Sequence, residues 1–153
     1  MTATLPEVAA RPAPTRPAVV PCYTQTLALV PESVPLARLS VRTTLDCWGL
    51  ASLADSAVII VSELVTNSVQ HAAPVRRPGR EPGRCRLTVQ RPGPGLLRIE
   101  VSDHCPRRIV CRRPRANDER GRGLLLVAAL ADRWDVTATP DGKSVWAELE
   151  AFA

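Results

Sequence analysis

The stretch "SELVTNSVQHA", residues 62–72, places a carboxylate, an amide and an imidazole four residues apart inside an otherwise apolar segment. These side chains belong to Glu63, Asn67 and His71. Residues four apart lie on one face of an α-helix, so a helix over 52–72 carries all three in one line. Pro74 ends that helix, because proline cannot continue it. The polar stripe has one formal charge and no Lys/Glu pairs, and it fits either a solvated face or a binding face.

The neighbouring segments predict the element order β-α-α-β-β-loop-α-β-β. The predicted elements are a strand at 22–30, a helix within 31–49, the helix at 52–72, a loop at 73–83, a hairpin of 84–91 and 96–103, a cationic loop at 104–120, a helix at 121–133 and a hairpin at 134–150. Strands that pair as hairpins predict a mostly antiparallel sheet. Its helices should cover one face, which makes the fold an α/β (α+β) two-layer sandwich.

Length and composition predict one domain with a tail. A chain of 153 residues has the usual size of a single domain. Residues 1–21 contain five prolines and no aromatic residue, which predicts a disordered tail before a domain at 22–153. No uninterrupted apolar run approaches the roughly 18 residues that would span a bilayer, and no leader peptide is recognisable, so we expect a cytoplasmic protein without a membrane partner. The five cysteines include no CxxC pair, which favours reduced thiols.

Two further motifs suggest ligand contacts. Asp103 stands where the alternation of "RIEVSDHCP" breaks, and a carboxylate at a strand end can accept a hydrogen bond from a ligand or simply form a turn. Gly121 and Gly123, in "DERGRGLLLV" (118–127), precede an apolar helix. Glycines at a helix N-terminus expose backbone N–H groups that suit phosphate, although they also cap ordinary helices.

In their order along the chain, these motifs resemble the ATP-binding domain shared by gyrase, histidine kinases and mismatch-repair ATPases, the Bergerat fold. The resemblance is greatest to the stand-alone anti-sigma factor serine/threonine kinases of bacteria. It covers about residues 22–150, and its most specific pieces are "SELVTNSVQHA", "VSD" and "GRGLLLVAALADRW". It implies a protein that binds ATP and Mg²⁺ between its helices, under the loop at 104–120.

The resemblance also implies roles for individual residues. Glu63 would act as the general base or orient the attacking hydroxyl, and Asn67 would bind Mg²⁺. Asp103 would accept a hydrogen bond from the adenine amino group, with support from Ser144 in "GKSVWAEL". The remaining nucleotide contacts would come from the backbone or side chains of His71, Gly121, Arg122 and Gly123.

One departure from the family pattern leaves two functions open. The superfamily aspartate opens a DxGxG sequence, whereas here Asp103 is followed by His104, Cys105 and Pro106. A kinase would phosphorylate Ser or Thr of an antagonist protein and also hold a sigma factor, as a regulator of transcription. A non-catalytic protein-binding module would keep the fold with weak nucleotide binding or none. The chain has no phosphoacceptor helix pair, which excludes a complete histidine kinase.

The arginines of the loop at 104–120 fit a triphosphate, an acidic protein surface or plain solvation. Direct nucleic-acid binding is not expected, because no recognition helix or aromatic stacking run accompanies the charge. His104, Cys105 and Cys111 are too unevenly spaced to predict a metal cluster. The sequence leaves a homodimer open.

Overall fold

Alternating and helical apolar patterns become five strands and three α-helices in the computed structural model, which describes residues 19–72, 79, 81–104 and 122–151. The elements are β1 (Cys22–Ala28), α1 (Ser33–Cys47), a 3-10 turn (Ala51–Leu53), α2 (Ala54–His71), β2 (Arg84–Gly93), β3 (Leu96–Asp103), α3 (Arg122–Leu130), β4 (Arg133–Thr139) and β5 (Gly142–Glu150). Their order confirms the sequence prediction. Residues 1–18 of the predicted tail and 105–121 of the predicted loop and glycine motif lie outside the described residues.

The sheet is antiparallel throughout, with the strand order β1-β2-β3-β5-β4. Both predicted hairpins are present, as β2–β3 and β4–β5, and β3 and β5 lie side by side at its centre. The third helix is shorter than the predicted 121–133. It ends at Leu130 because the backbone N–H of Asp132 already donates to the carbonyl of Glu148 at 2.9 Å, which begins the β4–β5 ladder.

The two faces of the sheet differ in polarity. On β3, Leu97, Ile99 and Val101 are buried beneath the helices, and Arg98 and Glu100 alternate with them on the opposite, outer face. The helices contribute a matching apolar layer of fully buried side chains from α1 and α2, namely Ala37, Val41, Leu45, Ile60, Val61 and Leu64. The fold is therefore the predicted α+β two-layer sandwich, with its core between the sheet and α1, α2 and α3.

Helix α2 is the centre of the helical layer, in contact with α1, α3 and strands β2, β3 and β5. Together with the preceding turn, at Ala51–His71, it is also long and apolar enough to cross a membrane by length and composition, with a mean hydropathy of 1.3. The sequence prediction considered only uninterrupted apolar runs, and this helix passes by its average hydropathy although Asp55 and Glu63 interrupt it. Packing against the sheet explains the apolarity, because the core helix of a soluble domain needs the same composition.

Candidate functional site

The first turn of α3 covers the middle of the polar line on α2. A Cβ atom placed on Gly123 would lie 2.5 Å from Oε2 of Glu63 and 3.6 Å from Oδ1 of Asn67. Both side chains are half-buried, whereas His71 is exposed as the last residue of α2. The absence of a side chain at Gly123 thus lets α3 approach the carboxylate and the amide. Glu63, Asn67 and Gly123, predicted from separate motifs, meet in one place.

Asp103, the last residue of β3, is 3% exposed and faces the helices. Its Oδ2 accepts a hydrogen bond of 2.7 Å from the hydroxyl of Ser68 and lies 3.7 Å from Nζ of Lys143. Its Oδ1 is buried and accepts no hydrogen bond from any described residue. Buried polar atoms without a partner are rare and costly. This oxygen is therefore suited to a donor that the described part of the chain does not provide.

Ser68 connects the two halves of the site. It follows Asn67 directly on α2 and is itself buried, 3% exposed. Its bond to Asp103 holds the end of β3 against the helix that carries Glu63 and Asn67. The sequence analysis missed Ser68, because it falls outside the polar stripe and on the buried side of α2.

The buried thiol of Cys85 is a neighbour of Asp103 in the sheet. Cys85 lies directly opposite Asp103 in the β2–β3 pairing and is 2% exposed. Burial, with a smaller effect from the charge of Asp103, raises the pKa of this thiol from 9.0 to about 11. Cys85 is therefore protonated at neutral pH and contributes an uncharged, poorly reactive surface.

The sheet separates Ser144 from Asp103. Ser144 pairs with Ser102 on the outer face, where its hydroxyl lies 3.1 Å from that of Ser102 and donates to Oε1 of Glu100 at 2.5 Å. Lys143, not Ser144, is opposite Asp103. Because side chains alternate along a strand, a shift of one residue moves a side chain to the other face. The buried Val145, Ala147 and Leu149 already indicate that position 143 faces the helices.

The rest of the predicted site is described only in part. Gly121 lies outside the described residues, and Arg122 is the first residue of α3, with only its backbone described. Within the described residues no three His, Cys, Asp or Glu side chains form a group that could hold a metal. At nucleotide sites Mg²⁺ usually takes one or two protein oxygens together with substrate phosphates and waters. The oxygen of Asn67 fits that donor set.

Comparisons with known proteins agree with this arrangement. The sequence model of the histidine kinase-like ATPase domain matches residues 27–149. A crystal structure of the RsbU and RsbW domains of Rv1364c from Mycobacterium tuberculosis matches with a TM-score of 0.61 and 21% identity over 85% of the chain. The chain covers 32% of that protein. No curated protein gives a significant match.

The family match covers all three helices and nearly the whole sheet. It also contains Glu63, Asn67, Asp103 and Gly123, which the fold brings to one side of the sheet. The chain therefore belongs to the family of histidine kinase-like ATPase domains.

Proposed function

We propose that this protein binds Mg-ATP and transfers the γ-phosphoryl group to a Ser or Thr of an antagonist protein, as the anti-sigma factor kinases that it resembles do. The single observation that carries the proposal is Oδ1 of Asp103, which is buried and has no hydrogen-bond partner among the described residues. The adenine amino group is a donor of the kind that this oxygen lacks. A nucleotide placed there would extend along α2 towards Asn67 and Glu63.

Phosphoryl transfer depends mainly on positioning and charge neutralisation. Asn67 would supply one oxygen ligand to Mg²⁺, which when bound neutralises charge on the phosphates. Glu63 would orient the attacking hydroxyl and accept its proton as the bond between the hydroxyl oxygen and the γ-phosphorus forms and ADP leaves. The position of both side chains around Gly123 supports a shared role.

The remaining assignments belong to the same proposal. His71, Gly121, Arg122 and Gly123 would contact the phosphates. A sigma factor and an anti-sigma antagonist would be the protein partners of a cytoplasmic regulator of transcription. Residues 1–21 would form a tail outside the nucleotide-binding domain.

Thermal melting with and without Mg-ATP tests nucleotide binding. Ligand at about 100 times its Kd stabilises by roughly 2.7 kcal/mol, which is several degrees for a domain of this size. We expect the wild type to shift and Asn67→Ala to lose most of the shift. Gln70→Ala is the matched control, because Gln70 is an exposed residue on the same helix. If Mg-ATP at millimolar concentration shifts no protein, nucleotide binding is ruled out as the function.

Phosphoryl transfer needs its own experiment, with acceptor proteins captured by affinity pull-down and ATP labelled at the γ-phosphate. The wild type should label a Ser or Thr of a captured protein. Glu63→Ala should keep the thermal shift with Mg-ATP but transfer no label. Release of free phosphate without a labelled protein would instead indicate plain ATP hydrolysis.

A non-catalytic protein-binding module is the second candidate, and the sequence after Asp103 favours it. Cys105 and Arg107 stand where the family pattern DxGxG has its two glycines. If the wild type neither shifts with Mg-ATP nor transfers phosphate, yet captures the same partners as Asn67→Ala, the module replaces the kinase.

A further inference from the structure

Lys143 is the only lysine in the chain. It is nearly buried beside Asp103, at the base site, which is the place where the adenine ring is proposed to bind. Its side chain is 13% exposed, and its Nζ lies 3.7 Å from Oδ2 of Asp103, its partner across β3 and β5. A lysine is seldom buried unless a charge compensates it. At this distance the charges attract each other, but the contact is too long for a hydrogen bond. The ammonium therefore retains N–H groups that can bind a ligand.

The carboxylate of Asp103, next to this ammonium, offers a hydrogen-bond acceptor. Asp103 uses Oδ2 for Ser68 and leaves Oδ1 buried and without a partner among the described residues. The base site thus combines an acceptor, Oδ1, with a charged donor, Nζ. The edge of adenine is the complement of such a pair, since its exocyclic amino group donates and the adjacent ring nitrogen N1 accepts.

We propose that Lys143 is a base-reading residue, whose ammonium donates a hydrogen bond to N1 of adenine while Asp103 accepts one from the amino group. This inference rests on the proposed binding of ATP and names the residue that selects the base. Guanine presents the opposite order, with an exocyclic acceptor and a ring N–H donor. A donor and an acceptor fixed in the order that fits adenine would therefore discriminate against GTP.

A purely structural ion pair is the competing explanation, because Lys143 also compensates the buried charge of Asp103. The two explanations differ in which atom of the nucleotide they make important. A hydrogen bond from Lys143 to the base makes nucleotide affinity depend on N1 of adenine. An ion pair that only supports Asp103 makes nucleotide affinity depend on the amino group alone.

The test measures affinities for ATP and for 1-deaza-ATP, in which a C–H group replaces N1 and the amino group remains. The wild type should bind ATP about tenfold or more tightly than the analogue, as expected for a hydrogen bond from a charged donor. In Lys143→Met, which keeps the apolar stem, the two nucleotides should bind within about twofold of each other. Arg98→Met is the control, because Arg98 lies on the outer face of the sheet and should leave the ratio unchanged.

Three results would overturn the inference. If the wild type binds ATP and 1-deaza-ATP equally well, N1 has no role in binding. ATP binding, and with it the proposed function, would still hold. A ratio that persists in Lys143→Met would assign the discrimination to another group and leave Lys143 as a structural ion pair. Failure of the wild type to bind either nucleotide would overturn both the inference and the proposed function. If Lys143→Met does not fold, Lys143→Thr removes the same ammonium with a good strand-forming residue.

Discussion

At the scale of single residues, the bond from Ser68 to Asp103 decides how well the site is held together. Ser68→Ala would leave the buried carboxylate without its hydroxyl donor, and among the described residues it would keep Lys143, 3.7 Å away, as its partner. We expect a loss of about 1–3 kcal/mol of unfolding free energy, measured by chemical denaturation, together with weaker binding of Mg-ATP. Ser62→Ala is the matched control, because Ser62 donates only to the carbonyl of Val58 within α2. Equal losses in both variants would contradict this role of Ser68.

The thiol of Cys85 gives a prediction on alkaline pH. Its pKa is about 11 in the folded protein against an ordinary 9.0, so the unfolded chain loses this proton first as the pH rises. The contribution of the protonated Cys85 thiol to the free energy of unfolding is therefore complete below pH 9 and is lost progressively between about pH 9 and pH 11. Unfolding free energies measured across this range should fall more steeply in the wild type than in Cys85→Ala. Parallel curves for the two proteins would refute the assignment.

How much of the site the sequence predicts depends on what kind of signal each residue leaves. Glu63 and Asn67 are predictable because four-residue spacing survives in any helix. Ser68 is not, since only the distance between α2 and the end of β3 reveals its bond to Asp103. Ser144 was predicted because it stands where the resembling family has a hydroxyl, whereas the alternation of β5 places Lys143 beside Asp103.

At the scale of elements, α3 approaches α2 most closely at Gly123, where a side chain would displace that of Glu63. The added methyl of Gly123→Ala would meet the carboxylate of Glu63, which can rotate away because it ends a flexible side chain. The fold should therefore tolerate the change, and alanine favours a helix over glycine by about 0.5–1 kcal/mol. We expect an equal or higher Tm and, because Glu63 is displaced, phosphate transfer slower by roughly 10- to 100-fold. A wild-type rate of phosphate transfer in Gly123→Ala would contradict this role of position 123.

The β4–β5 hairpin offers the opposite case at Gly142. A Cβ atom there would collide with the backbone carbonyl of Asp103 and approach the Cα of His104, neither of which can rotate away. Gly142→Ala should therefore force the hairpin to shift and cost about 1–3 kcal/mol of unfolding free energy. Gly93→Ala, at the end of β2, is the control, because a Cβ atom there would meet nothing within 4 Å. If both variants melt at the wild-type temperature, the close contact between strands β3 and β5 at this end is not needed.

The elements themselves were predictable for a reason that does not extend to their arrangement. Short turns rich in Pro and Gly join β2 to β3 and β4 to β5, so pairing within each hairpin is local. The central pairing of β3 with β5 brings together residues far apart in the sequence, for example 40 positions at Asp103↔Lys143 and 52 positions at Leu97↔Leu149. No local pattern specifies that contact. It follows only once both hairpins pack on the same helices.

At the scale of the whole molecule, the two faces of the sheet carry different groups, with the proposed binding residues on one face and stabilising ion pairs on the other. The helix face carries Asp103 and Lys143, and the outer face carries a charge network centred on Arg98. The guanidinium lies 3.0 Å from Glu148, 3.3 Å from Glu100 and 4.0 Å from the centre of the Trp146 ring. These contacts link β3 to β5 on the face opposite to the proposed nucleotide site.

Arg98→Met should therefore lower stability and leave nucleotide affinity unchanged. The variant keeps an apolar stem over Trp146 but loses the cation–π contact and both ion pairs, which together are worth about 1–2 kcal/mol when partly buried. Melting should fall by several degrees, while titration with Mg-ATP should give a Kd within about twofold of the wild type. Lys143→Met is the converse, with an altered affinity from the other face of the same two strands. A weaker affinity in Arg98→Met would mean that the sheet transmits changes on its outer face to Asp103, and that its two faces do not act independently.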